Sequence, residues 1–143
     1  MYSSALQEAQ KKLNYIPLVE LVCNAILESD LEIKKSKEAI EKLPMMWQER
    51  AGFREGSAGK RAFDVLLHKP ILSSLILQRE LGISKTASTN AIKSLVEKKI
   101  IRHRKFENRM PVYAAEELIQ ILSRPFGSDI DLALEKGLRL LNE

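Results

Sequence analysis

A mostly α fold with one small two-stranded ribbon is predicted by three observations. Apolar residues recur at three- and four-residue steps along most of the chain. Leu81-Gly82-Ile83-Ser84 has the form of a tight turn between two helices, with Gly82 free to adopt φ > 0 and Ser84 placed as an N-cap. Residues 100–113 then read as a strand begun by Ile100 and Ile101 and continued by Arg102 to Lys105, a turn at Glu107, Asn108 and Arg109, and a second strand returning at Val112 and Tyr113. Helix, turn, helix and ribbon in that order form a winged helix-turn-helix. The sequence thus predicts an N-terminal helical segment over 1–56, a winged helix-turn-helix domain with a two-stranded wing over 57–127, and a C-terminal helix over 128–143.

The elements follow in order. A helix is expected over 2–15, capped by Ser3 or Ser4 and broken at Asn14 and Tyr15. Pro17 suits the first turn of a second helix, where its missing N–H costs nothing. That helix runs to about residue 29, and its dense apolar set (Leu18, Leu21, Val22, Ala25 and Ile26) predicts burial, with Cys23 as an inert buried thiol. A third helix over 31–50 carries Ile33, Ser36, Ile40, Leu43 and Trp47 on one side, with a kink or end near Pro44. Trp47 reads as core. Residues 52–59, with three Gly and one Ser, read as a linker.

The winged module opens with a helix over 60–68, with Phe63, Leu66 and Leu67 inward. Ile71 and Leu72 lead to a helix over 73–81. The helix after Ser84 runs to about residue 98, with Ala87, Ala91, Ile92, Leu95 and Val96 on one face and Lys85, Thr86, Thr89, Asn90 and Lys93 on the other. Ile100 and Ile101 begin the first strand, and Val112 and Tyr113 form the second. Beyond the ribbon, a helix over 115–123 places Leu118, Ile119 and Leu122 inward, and Pro125, Phe126 and Gly127 end it. Ser128 caps a last helix, whose Ile130, Leu134, Leu138 and Leu141 make a narrow apolar stripe. Such a stripe fits a homodimer through the C-terminal helix.

Charge points to a partner. The chain carries a net +4, and residues 84–109 alone hold eight Lys or Arg against two Glu, a local +6. A basic patch confined to one element is the footprint of a polyanion. The expected partner is double-stranded DNA. The expected contacts are Lys85, Thr86, Thr89, Asn90 and Lys93 on the helix and Arg102, Arg104, Lys105 and Arg109 on the ribbon. The basic side chains are suited to phosphates, and the Thr and Asn to phosphates or base edges. The same ribbon charges also suit a solvated edge that resists strand pairing.

Other chemistry is not supported. His68 and His103 have no Cys or second His at ligand spacing, so no metal site is expected. No Gly-rich phosphate loop is present, and no carboxylate pair stands out from the solvated charges. No cofactor is expected. A lone Cys23 precludes an internal disulfide, and no apolar run reaches the roughly 18 residues of a membrane span. A cytoplasmic protein is expected.

Residues 63–123 resemble the C-terminal winged helix of Fic (filamentation induced by cAMP) family proteins. The resemblance is carried by Leu66-Leu67, Pro70-Ile71, Leu81-Gly82-Ile83-Ser84, Ala91-Ile92, Leu95-Val96, Ile100-Ile101 and Leu118-Ile119-Gln120-Ile121-Leu122. Tyr2, Ala5-Leu6-Gln7 and Pro17 resemble the segment that follows the family's catalytic motif. In the family that motif reads H-P-F-x-x-G-N-G-R or K, binds nucleotide phosphate and supplies the base for AMP transfer. It is absent here, since Arg124-Pro125-Phe126-Gly127 has neither the His nor the Asn-Gly-Arg. Gln78 and Lys99 also depart from the helix-turn-helix pattern, standing where Ala and Gly are usual. The resemblance implies the region downstream of a Fic catalytic core, as a piece of a longer protein or a standalone remnant. It implies a non-enzymatic DNA-binding module with a regulatory or targeting role, or alternatively a protein-interaction or dimerisation module of an adenylyltransferase.

Overall fold

The computed structural model describes residues 2–107 and 110–143, with the backbone alone at Lys105, Phe106 and Glu107. Among the described residues the order is α1 (Tyr2–Lys12), α2 (Ile16–Ala51), α3 (Ala58–His68), β1 (Ile71–Leu72), α4 (Ser74–Leu81), α5 (Lys85–Glu97), β2 (Arg102–Glu107), β3 (Met110–Ala114), α6 (Glu116–Leu122) and α7 (Ile130–Leu141). The fold is mostly helical with a small antiparallel sheet, and no helix among these residues is long and apolar enough to cross a membrane. The chain divides into two compact units, residues 1–37 and 38–143. The Gly-rich stretch 52–59 therefore lies inside the second unit.

The first unit holds α1 and the first part of α2. Leu13, at φ 54°, ends α1, and the Asn14 side chain accepts from the Ile16 N–H at the start of α2. Ser3 and Ser4, expected as caps, sit within α1 instead. The two helices expected over 17–29 and 31–50 are one. Ser29, Asp30 and Leu31 include no Gly or Pro to break the backbone, and Asp30 pairs with Lys34 one turn on, at 2.9 Å. The expected burial of this stretch also fails: Val22 and Ile26 are 50% and 62% exposed, and Cys23 is exposed. Within this unit α1 buries only its small Ala5 and Ala9, and a helix with so few large side chains cannot cover the apolar face of α2.

The second unit begins within α2. Pro44 does not end the helix, because Leu43 and Trp47 on either side of it are wholly buried and hold the backbone through the lost hydrogen bond. Trp47 tilts against Phe63 at 5.6 Å between ring centres, and Phe53 also tilts against Phe63, at 5.8 Å. Leu66, Leu72, Leu77, Leu95, Ile100, Leu118 and Ile121 complete this core. Ser57 caps α3 by accepting from the Lys60 N–H.

The sheet has three strands in the order β1-β3-β2, where two were expected. Ile71 and Leu72 pair antiparallel with Ala114 and Tyr113, and Arg102 to Arg104 pair with Ala114 to Val112. Ile100 and Ile101, expected to open the first strand, are buried residues ahead of β2. Asn108 and Arg109, expected in the turn, lie outside the described residues.

Helices α6 and α7 pack closely. Gly137 makes this possible, since a Cβ there would lie 2.6 Å from Glu117 Cα. Asp129, rather than Ser128, caps α7. Ala133, Gly137 and Leu141 are buried and Leu134 packs against the core, so this helix covers its own unit with most of its apolar side. On α6, Leu122 is exposed and Ile121 takes the inward place expected for it.

Candidate functional site

Helices α4 and α5 and the β2–β3 ribbon form the face on which the sequence concentrates its positive charge. Ser73 caps α4 by accepting from the Ile76 N–H at 3.4 Å. Gly82 ends it at φ 63°, a left-handed conformation that favours glycine. Arg61 donates to the Leu81 carbonyl at 3.0 Å, satisfying an acceptor at that end. Lys69 pairs with Glu80 beside it. Ser84 then caps α5 by accepting from the Ala87 N–H at 3.2 Å.

The two helices cross on serine. Ser88, fully buried, lies 3.0 Å from the Ser74 hydroxyl and donates to the Ser74 carbonyl at 2.9 Å. Gln78 turns along α4 to donate to the Ser74 hydroxyl at 3.2 Å. The small residue that the crossing needs is thus on α5, and Gln78 fits by lying alongside.

The far end of α5 is held from α2. Lys99 adopts φ 59°, the conformation for which Gly is usual. Its carbonyl accepts from Arg50 Nη1 at 2.7 Å, and the same guanidinium reaches Glu117 at 2.7 and 3.3 Å. Trp47 Nε1 donates to Glu117 as well, at 3.3 Å.

On the outward face of α5, Lys85, Thr86, Thr89, Asn90 and Lys93 are all exposed, while Ser88, Ala91, Ile92 and Leu95 are buried. Thr89 donates its hydroxyl to the Lys85 carbonyl at 2.9 Å, so its oxygen faces outward as an acceptor. These five residues share one surface.

The ribbon residues divide differently. Arg102 Nε donates to Glu116 at 2.8 Å and its Nη1 to the Leu140 carbonyl at 3.3 Å. Arg104 reaches the same carboxylate through Nε at 2.8 Å and Nη2 at 2.9 Å. Both arginines are therefore engaged with Glu116 on α6, and each keeps about a third of its side-chain surface exposed. The side chain of Lys105 and all of Arg109 lie outside the described residues.

Glu116 and Glu117 were missed in the sequence, where no carboxylate pair stands out. Both are buried in the first turn of α6, with Glu116 facing β2 and Glu117 facing α2. Burial pushes the Glu116 carboxyl up, and the hydrogen bonds from Arg104 and Arg102 outweigh that and hold it below its ordinary value. The same contact, chiefly through its hydrogen bond, raises Arg104.

A groove of about 1040 Å³ runs between α5 and the ribbon. Ile92, Val96, Leu75, Met110, Pro111 and Tyr113 give it an apolar wall, and Lys85 and Lys93 stand at it. His103 packs edge-on against Tyr113, with ring centres 5.5 Å apart. In the sequence the only trace of the groove is that Ile92 and Val96 flank Thr89 and Lys93 on the helix. No protein-family model matches the chain, and no curated protein matches it.

Proposed function

We propose that the second unit is a winged helix-turn-helix that binds double-stranded DNA, with α5 as the helix entering the major groove and the β2–β3 ribbon as the wing. One observation carries this reading: Lys85, Thr86, Thr89, Asn90 and Lys93 are all exposed along one face of α5. Two ammonium groups offer counterion release at phosphates, and Asn90 has the amide that pairs with adenine edges. The local +6 of residues 84–109 adds to the attraction.

The affiliation with the C-terminal region of Fic proteins is part of this proposal and rests on the order of the motifs. Lacking the catalytic motif, the chain is a regulatory or targeting module and transfers no AMP. Titration of a labelled duplex across salt concentrations tests the binding. Non-specific affinity on the order of 10⁻⁴ to 10⁻⁶ M at physiological salt is expected, falling steeply as salt rises. No binding even at low salt removes the DNA reading.

A further inference from the structure

The groove beside α5 is not built for a phosphate backbone. Its lining on α5 runs from Lys85 at the first residue to Glu97 at the last, with Thr89, Ile92, Lys93 and Val96 between them, and Ile92 and Val96 join Leu75, Met110, Pro111 and Tyr113 in an apolar wall. Thirteen residues at the rise of an α-helix span roughly 20 Å. Leu75 and Met110, each 48% exposed, stand on α4 and β3 as the opposite sides. A trough of that length exceeds a compact small molecule and matches about three to four turns of a docked helix.

Charge selects the kind of helix. Lys85 and Lys93 line the groove eight residues apart, about 12 Å along α5, and among the described residues Glu97, near the far end, is the acid that lines it. We propose that this groove binds an acidic amphipathic helix of a protein partner. The apolar face of that helix would lie on Ile92, Val96, Leu75 and Met110, and its carboxylates, two turns apart, on Lys85 and Lys93. Resting beside the proposed DNA reading, the site shares Lys85, Thr89 and Lys93 with the DNA face. Leu75, on α4, belongs to the groove alone, and Thr86 and Asn90 lie outside it.

The test uses the full chain and two synthetic amphipathic helices of about four turns with the same Leu face, one flanked by Glu and one by Lys. Fluorescence anisotropy is expected to show the Glu peptide binding about tenfold or more tighter than the Lys peptide. Leu75→Gln, on α4 at an exposed position so that circular dichroism stays unchanged, is expected to weaken this binding about tenfold and, adding no charge, to leave duplex DNA affinity in place. Lys85→Glu with Lys93→Glu is expected to reverse the preference between the peptides. Thr86→Ala with Asn90→Ala is expected to weaken DNA binding and leave the peptide untouched, so failure of either reading is seen separately. Equal binding of both peptides, no binding up to about 1 mM, or loss of DNA affinity in the Leu75 variant would overturn the proposal.

Discussion

Arg104 holds Glu116 through two hydrogen bonds, from Nε at 2.8 Å and Nη2 at 2.9 Å, across a strand and a helix twelve residues apart in sequence. Arg102 adds a third bond to the same carboxylate. The carboxylate is wholly buried, whereas the Arg104 side chain keeps 38% of its surface. Removing one partner of a fully buried pair costs about 3–5 kcal/mol. With water reaching the arginines, Glu116→Gln is expected to cost about 2 kcal/mol, measured by urea unfolding followed by circular dichroism.

The same pair sets a pH dependence. The Glu116 carboxyl is held below its ordinary 4.5 in the folded chain, so the unfolded chain takes up its proton first as pH falls. Its contribution is fully present above that ordinary value and is lost as pH drops through the lower folded value. Unfolding midpoints measured from neutral pH down to about 3 should show this loss in the native sequence. Glu116→Gln should lack that component.

Gly137→Ala is a test of two opposed effects. Alanine is the better helix former by about 1 kcal/mol. The added Cβ, however, would stand 2.6 Å from Glu117 Cα and 2.9 Å from Glu117 N, which are backbone atoms and cannot swing aside. Overpacking costs about 1–3 kcal/mol and is expected to prevail. A lower melting temperature is the expected result, and an unchanged or higher one would mean that α7 can shift away from α6.

Lysine and arginine variants should separate binding from folding. Lys85→Ala with Lys93→Ala should leave stability nearly unchanged, because both side chains are exposed. It should also reduce the slope of log affinity for DNA against log salt by about 2. Arg102→Ala with Arg104→Ala should lower stability, since it strands the Glu116 carboxylate. Paired salt titrations and unfolding curves check both. An equal salt slope in the lysine variant would place the DNA contact elsewhere.

Cys23 supplies a direct probe of α2. Its thiol is exposed. A coloured disulfide reagent should react with it in native protein at a rate close to that in denaturant. Strong protection in the native state would mean that this part of α2 is covered in solution.

The local signals in the sequence were reliable where neighbouring residues settle the conformation. Gly82 and Ser84 mark the turn and cap between α4 and α5, and the exposed and buried faces of α5 follow from helical spacing. Long-range partners were not legible. Ile71 and Leu72 look like a lead-in to a helix until Ala114 and Tyr113 pair with them. Arg102 and Arg104 look like open cations because Glu116, which claims them, sits on the next helix. The apolar density of α2 read as burial, since composition cannot show that α1 buries only Ala5 and Ala9. The groove required four elements, α4, α5, β2 and β3, to be placed together before Leu75 and Met110 could be seen as its sides.

The bonds that Glu117 accepts from Trp47 and Arg50 also have a kinetic meaning. They close stretches of 70 and 67 residues. Bringing the ends of such a loop together costs about 4 kcal/mol of chain entropy before any contact compensates it. The α4–α5 pair, joined by three residues, meets no such barrier. Folding should therefore begin at the serine crossing and finish when α6 reaches α2, so that damage at Glu117 hastens unfolding more than it slows folding.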